Sequence, residues 1–398
     1  MTSPAAPWWT AVLRDERRWC ARLLRDGHIT GRDEAFLRRQ GGLSLLVSSL
    51  VVLLQPRPAW RSACRAFFVS FGQDELAHST VRLDPELYAP LNFGPRAVFK
   101  GARLGFVLNS LYLLINFPDR KPARLRKFLL ARHFAYVEKL LPQLRNCVFL
   151  VKQDYFGPSS LLVTLSWRAG LRVPGIQHGL MDTDAILRTR IYPCVRTQVE
   201  YAYNEFYKSV FTDVKPASTT VEVLGPPYDC GADRPPTRHV SRVVFISSGH
   251  LRTEEGREWI DRVRQVATEA GLTFQLRPHP SEKDAAALEP YLLEQSPLAA
   301  VFDGDPGATV FVGIFSSLLY QAAYKGFRTL WLLKGQEETP FYVALLRDLP
   351  NATALRQEQF GAGLFETLRE HAPEPVAHDS VGTRLTRLLE ASFPGFRQ

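Results

Sequence analysis

The chain is poor in sulfur. Its five cysteines (Cys20, Cys64, Cys147, Cys194 and Cys230) are scattered and odd in number, and two methionines complete the set. No C-x-x-C pair occurs, so neither a zinc site nor a disulfide framework is signalled. A reducing cytoplasm suits this pattern. Long apolar runs are also missing. The most apolar stretch, LSLLVSSLVVLL at residues 43–54, is too short for a bilayer, which needs about 20 residues. It reads as a buried helix or strand. The opening MTSPAAPWWTAVLRDERRW has no apolar core flanked by a cleavage site, so no secretory signal is expected. No repeat of fixed period and no low-complexity tract is present.

What remains is globular in composition, with 45% hydrophobic and 22% charged residues. A length of 398 residues exceeds one compact core and implies two domains. The net charge of +9 favours an acidic partner: a phosphorylated ligand, nucleic acid or an anionic membrane face.

The chain has two styles. Residues 1–146 are rich in arginine and aromatics, and their pattern is mostly helical. In RLRKFLLARHFAYVEKLLPQL, Leu125, Phe128, Leu129, Phe134 and Val137 recur at near-helical spacing. Over 147–225 the pattern alternates. CVFLV, RVPGIQ, QVEYAYN and TVEVLG read as strands; GPSSLLVTLSWRAG, stopping at Gly170, and NEFYKSVF read as helices. Residues 226–241, PPYDCGADRPPTRHVS, are proline-rich and aperiodic, a linker. A second series fills 242–380. It begins with the strand RVVFIS and an amphipathic helix carrying Trp259, Ile260, Val263, Val266 and Ala267, stopped by Gly271. LTFQLRPHP, LAAVFDG, TVFVGIF and RTLWLL read as strands, AALEPYLLEQ and SSLLYQAAYKG as helices, and FGAGLFETLREHA as a further helix. Residues 381–398 form a C-terminal helix. Strands alternating with helices imply an α/β fold of parallel sheets covered by helices.

Open sheets of this kind bind ligands at the carboxyl ends of their strands. Three motifs stand there. RPHP, Arg277–Pro280, follows the strand LTFQL; arginine and imidazole on a stiff exit suit a diphosphate, and a surface turn would look the same. Ser316 and Ser317 open a helix after a buried strand, where free amides and the helix dipole favour phosphate, although serine also caps helices routinely. GIQHGL at 175–180 places His178 between Gly175 and Gly179. The glycines let the backbone approach a ligand, and a histidine near neutral pKa is a candidate base. Its plain alternative is a solvated turn.

Taken together, QHG, then a strand ending in RPHP, then SS opening a helix, resembles the GT-B glycosyltransferases and glycerophosphotransferases of bacterial surface polymers. Capsule polysaccharide transferases, HP-motif sialyltransferases and teichoic-acid polymerases share parts of the pattern. The resemblance spans residues 147 to about 345 and implies two Rossmann-like domains facing a cleft. It makes His178 the base that deprotonates an acceptor hydroxyl. Arg277, His279, Ser316 and Ser317 would hold the donor phosphates, and Ser248 and Gly249 of SSGH would lie beside them. The family often has a glutamate one turn after the serines for the donor ribose; here that position is Gln321. Asp182 or Asp184 would orient His178 or the acceptor. Asp154, Gln177 and Gly179 are further acceptor contacts. For these aspartates a solvated loop carboxylate is an equal reading.

DGD, Asp303–Asp305, and DTD, Asp182–Asp184, fit the short D-x-D metal-diphosphate pattern. Because arginine, helix end and histidine already supply positive potential, no metal and no other cofactor is expected. The arginine-rich helices near ERRWCARLLR and DRKPARLRKFLLAR suit an anionic membrane face holding a lipid-linked acceptor, or are simply solvated. Nucleic acid is not expected, since no basic sheet is interleaved with aromatics. The sequence thus points to a cytoplasmic transferase, peripheral on the inner membrane, that moves a sugar from a nucleotide-sugar donor, CMP-linked by analogy, to a surface glycan or its lipid-linked primer. Two alternatives stay open: a polyol-phosphate transferase of the CDP-glycerol type, and a non-catalytic nucleotide- or carbohydrate-binding component of a glycan synthesis complex.

Overall fold

A computed structural model of the chain describes residues 8–25, 45–46, 48–50, 52–53, 65–70, 86–92, 103–117, 123–151, 157–177, 196–226, 237–247, 251, 253–279, 282, 289–294, 302, 305–333, 339–370, 372–374 and 379–396. The chain divides into two compact units, Met1–Pro227 with Gly382–Gln398, and Tyr228–Val381.

The first unit begins with helix α1 (Trp9–Arg25), followed by helical turns within 45–53. Strands β1 (Ala66–Ser70) and β2 (Tyr88–Asn92) precede helices α2 (Arg103–Asn116) and α3 (Ala123–Leu144). Then come β3 (Val148–Val151), α4 (Gly157–Ala169), β4 (Gly175–Ile176), β5 (Val199–Ala202), α5 (Glu205–Val214) and β6 (Thr220–Val223). The six strands are parallel, in the order β2-β1-β3-β4-β5-β6. Period-two alternation decides what each face buries. Phe67, Val69, Phe149 and Val151 join a large apolar cluster with α1, α2, α3 and α4. Ala66, Phe68, Val148 and Leu150 face the other way.

The stretch 1–146 therefore contributes two strands besides its helices. Both are five residues long, too short to show a period beside their helical neighbours. Pro90 also argues against a strand, because proline cannot donate to a ladder. It is tolerated because β2 is an edge of the sheet.

The second unit contains β7 (Arg242–Ile246), α6 (Glu254–Glu269), β8 (Thr273–Arg277), β9 (Thr309–Gly313), α7 (Ser317–Tyr324), β10 (Arg328–Leu333), α8 (Thr339–Leu346), β11 (Ala352–Arg356) and α9 (Ala362–Glu370). Its sheet is parallel in the order β11-β10-β9-β7-β8. The buried face of α6 packs with Val243, Phe245, Val310, Val312 and Leu330. Trp259, Ile260, Val263, Val266 and Ala267 form that face, as the period requires. Gly271 stops α6 at φ +68°, a conformation that favours glycine.

The last helix, α10 (Val381–Ser392), returns to the first unit. Leu385, Leu389, Phe393 and Phe396 cover the face of Ala66, Phe68, Val148 and Leu150. Burying each such side chain stabilises by about 1.5–3 kcal/mol. Tyr88 Oη lies 2.8 Å from Thr386 Oγ1, and Arg384 donates to the Leu224 and Pro226 carbonyls at 2.5 and 3.1 Å.

Candidate functional site

The order of the second sheet decides where a ligand can sit. Numbered from β7, it runs 5-4-3-1-2, so the chain leaves β7 toward β8 on one side and reaches β9 on the other. In such a sheet the crevice opens at the carboxyl ends of the first and third strands, the switch point. Here these are β7 and β9. Their register places Ile246 beside both Arg277 and Gly313. The ends of β7, β8 and β9 are therefore level, and Arg277, Ser247 and the Gly313–Ser317 turn share one edge.

Each exit is fixed locally. The Ser247 amide donates to the Arg277 carbonyl at 2.9 Å. Arg277 is half-buried, and burial lowers its pKa, though a guanidinium stays charged. Ser316 is the N-cap of α7; its Oγ accepts from the Leu318 amide at 3.2 Å. A hydroxyl that accepts still has its own proton to donate. Gly313 eases a close approach, since a Cβ there would crowd the Ile246 carbonyl oxygen at 3.0 Å. Tyr342 Oη donates to the Ile314 carbonyl at 3.0 Å and braces the turn from α8. Ser316, Ser317 and Gln321 are half-buried, and His279 is exposed. A half-buried cation on the same sheet edge as a helix N-terminus and two hydroxyls can bind an anion.

One residue of this edge was not legible from the motifs. Glu282 is 5% exposed. Its Oε1 accepts from Ser247 Oγ and the Leu251 amide, both at 2.9 Å, and its Oε2 from the His279 amide at 2.7 Å. The Glu282 amide returns a bond to the His279 carbonyl at 2.8 Å. A signal existed: an acid three residues after His279 matches half of a capping box.

The first sheet has the same switch, between β1 and β3, in its order 2-1-3-4-5-6. Asp154, His178, Gly179, Asp182 and Asp184, expected at its exits, lie outside the described residues, as do Ser248 and Gly249. Gln177 is described and fully buried. Its amide donates to the Tyr201 carbonyl at 2.9 Å, and its Oε1 accepts from the Tyr203 amide at 2.8 Å. That side-chain oxygen ties the β4 exit to the β5 exit. Gly175 also has a partner in the protein itself. A Cβ there would lie 1.8 Å from Glu200 Oε2, so the glycine makes room for a buried carboxylate that accepts from Thr197 Oγ1 at 2.8 Å.

Asp305 lies at the other end of its sheet. It precedes β9 and accepts from the Thr237 amide (3.0 Å), the Thr237 hydroxyl and the Gly307 amide (2.8 Å). Burial would raise its pKa, but the Thr237 and Gly307 hydrogen bonds and the Arg328 charge bring it below the ordinary carboxylate value. The amino end of parallel strands is not where these sheets bind ligands, so Asp305 acts as a pin before β7 and β9. Among the described residues no cluster of histidine, cysteine, aspartate and glutamate could hold a metal. Among them, too, no helix is long and apolar enough to cross a membrane.

No family model and no curated protein matches the chain. Solved structures do. A putative UDP-N-acetylglucosamine 2-epimerase from Listeria monocytogenes superposes with a TM-score of 0.50 at 11% identity, over 85% of this chain and 98% of that one. The UDP-GlcNAc 2-epimerase of Methanocaldococcus jannaschii, solved with UDP-GlcNAc and UDP, gives 0.46 at 10% identity, over 82% and 99%. A lipopolysaccharide outer core galactosyltransferase gives 0.39 at 9% identity, over 83% and 100%. At such identity the likeness establishes architecture alone: the chain has a GT-B fold, built of two parallel-sheet α/β units.

Proposed function

We propose that this protein is a glycosyltransferase that moves a sugar from a nucleotide-activated donor to a bacterial surface glycan or its lipid-linked primer. One observation supports this reading above the others. Arg277 ends its strand level with Ile246 and Gly313, on the edge where the switch point of the second sheet opens. The leaving group of the reaction is a nucleotide phosphate. Arg277 with His279 would neutralise it, and the α7 N-terminus with Ser316 and Ser317 would hold it through amides and hydroxyls. Stabilising developing charge with such preset groups is often the largest single catalytic contribution. Ser248 and Gly249 would border the same phosphates, and Gln321 the donor ribose. His178 would take the acceptor proton, oriented by Asp182 or Asp184, with Asp154 and Gly179 beside the acceptor and the buried Gln177 holding the loop from below. No metal is assigned to the reaction.

A lipid-linked acceptor would bring the protein to the inner membrane face. Leu46, Leu50 and Leu53, spaced along one helical face, are 60%, 49% and 46% exposed. On α3, Leu125 and Phe128 are exposed beside Arg124, Lys127 and Arg132. Apolar side chains among cations suit an anionic headgroup layer.

The test is a thermal-shift screen with CMP, CDP, UDP and GDP, since a ligand of the native state raises its melting temperature. At least one nucleotide is expected to stabilise, and stabilisation by none removes the proposal. Product analysis then discriminates. A glycosidic product supports sugar transfer, transferred phosphorus identifies a polyol-phosphate transferase, and a released epimeric sugar an epimerase.

A further inference from the structure

We infer that Glu282 is a positioning residue that sets the geometry of the nucleotide-phosphate site; the inference rests on the functional reading above. Three donors from two strand exits converge on this one carboxylate. Ser247 Oγ and the Leu251 amide belong to the exit of β7, and the His279 amide to that of β8. The Leu251 and Ser247 donors lie 31 and 35 residues before Glu282 in sequence. The two loops are thus tied side chain to backbone, in addition to the Ser247 amide bond to Arg277.

Two consequences follow. The amides of Leu251 and His279 are occupied by the carboxylate, so they cannot also serve a phosphate. Anion recognition at these exits falls to the Arg277 guanidinium, the exposed His279 ring and the α7 end. Second, the turn His279–Glu282 is closed twice, by the Glu282 amide to the His279 carbonyl and by Oε2 to the His279 amide. The position of the His279 ring is therefore set by a buried acid that itself never meets the ligand. A carboxylate suits this task because it only accepts, and all three partners donate. An amide in its place would turn a donor toward at least one of them.

The test uses the full chain with Glu282→Gln and Ser247→Ala. Hydrogen exchange at Leu251 and His279 is measured without ligand, together with the affinity for the nucleotide that stabilises the wild type. Glu282→Gln is expected to speed exchange at both amides about tenfold and to weaken nucleotide binding by a similar factor, raising the donor KM more than it lowers kcat. Ser247→Ala should produce a smaller change in the same direction, and it carries the test alone if Glu282→Gln does not fold. Unchanged exchange and affinity overturn the inference. So does a lower melting temperature with unaltered affinity, which marks a merely structural acid. If no nucleotide binds the wild type, the functional reading fails. The exchange measurement then still decides whether Glu282 holds the two loops.

Discussion

The two units run their sheets in the same order around the first three strands, second-first-third, yet they place their polar side chains differently. The second unit has Arg277, Glu282, Ser247 and Ser316 at its strand exits, on one edge of the sheet. The first unit spends several inside its helical layer. Glu16 of α1 is fully buried and accepts from Ser160 and Thr164 of α4. Arg196 donates to the same two hydroxyls at 2.9 and 3.1 Å and lies 4.1 Å from the Trp19 ring centre. His133 of α3 is buried too, with Nδ1 2.8 Å from the Leu129 carbonyl and Nε2 3.0 Å from Ser48 Oγ. A carbonyl only accepts, so Nδ1 carries the proton and Nε2 accepts. The same topology thus serves two ends: polar groups in one unit fix helices to each other, and in the other they shape a rim.

Four perturbations sharpen this contrast. Glu16→Ala should destabilise the first unit by about 3–5 kcal/mol, because it strands the buried Ser160 and Thr164 hydroxyls without their shared acceptor. Urea denaturation followed by tryptophan fluorescence checks it, and nucleotide affinity of the folded fraction should stay as in the wild type. Acid comes next. Burial lowers the His133 pKa to about 4, against the Leu129 hydrogen bond, which raises it. The unfolded imidazole titrates near 6.5. Stability from this group is complete above pH 6.5 and is lost as pH falls toward 4, a loss of about 3 kcal/mol. His133→Leu should flatten that slope in unfolding curves taken from pH 7 to 4. Arg277→Ala acts on the other unit: nucleotide affinity should fall on the order of 100-fold, seen by calorimetry, with a melting temperature close to that of the wild type. The smallest effect is expected from Gly175→Ala, about 1–3 kcal/mol, as the Glu200 carboxylate is pushed aside. An unchanged melting temperature there would show that Glu200 can swing clear.

How much of this was legible depended on whether a pattern was local. RVVFI, TVFVG and RTLWLL are continuous apolar runs from a buried parallel sheet and are readable as strands. AFFVS and YAPLN are not, for want of length and because of Pro90. ATALR, strand β11, buries Leu355 alone among its five residues, which leaves an edge strand almost without a signature. TPFYVALL, helix α8, is apolar on nearly every side and shows no stripe. In α10 the stripe of Leu385 and Leu389 announces a buried face, but no period says which sheet it covers. The site divides likewise. Arg277, His279, Ser316 and Ser317 were visible as candidates because each ends or follows a strand. Glu282 was not, since two of its three partners are more than 30 residues earlier in the chain. Gly175 was noticed for the approach of its backbone to a ligand; the neighbour its small size admits in the structure is Glu200, 25 residues later.

The return of α10 to the first unit has a consequence for the order of events during synthesis. One side of the first sheet, with Ala66, Phe68, Val148 and Leu150, is complete in sequence long before the helix that covers it has been translated. Domains otherwise tend to fold as units, the amino-terminal one first. Here the whole second unit must leave the ribosome before the last apolar side chains can dock. The nascent chain therefore carries an uncovered apolar sheet face through most of its elongation, and its earliest-made unit is the last to be finished.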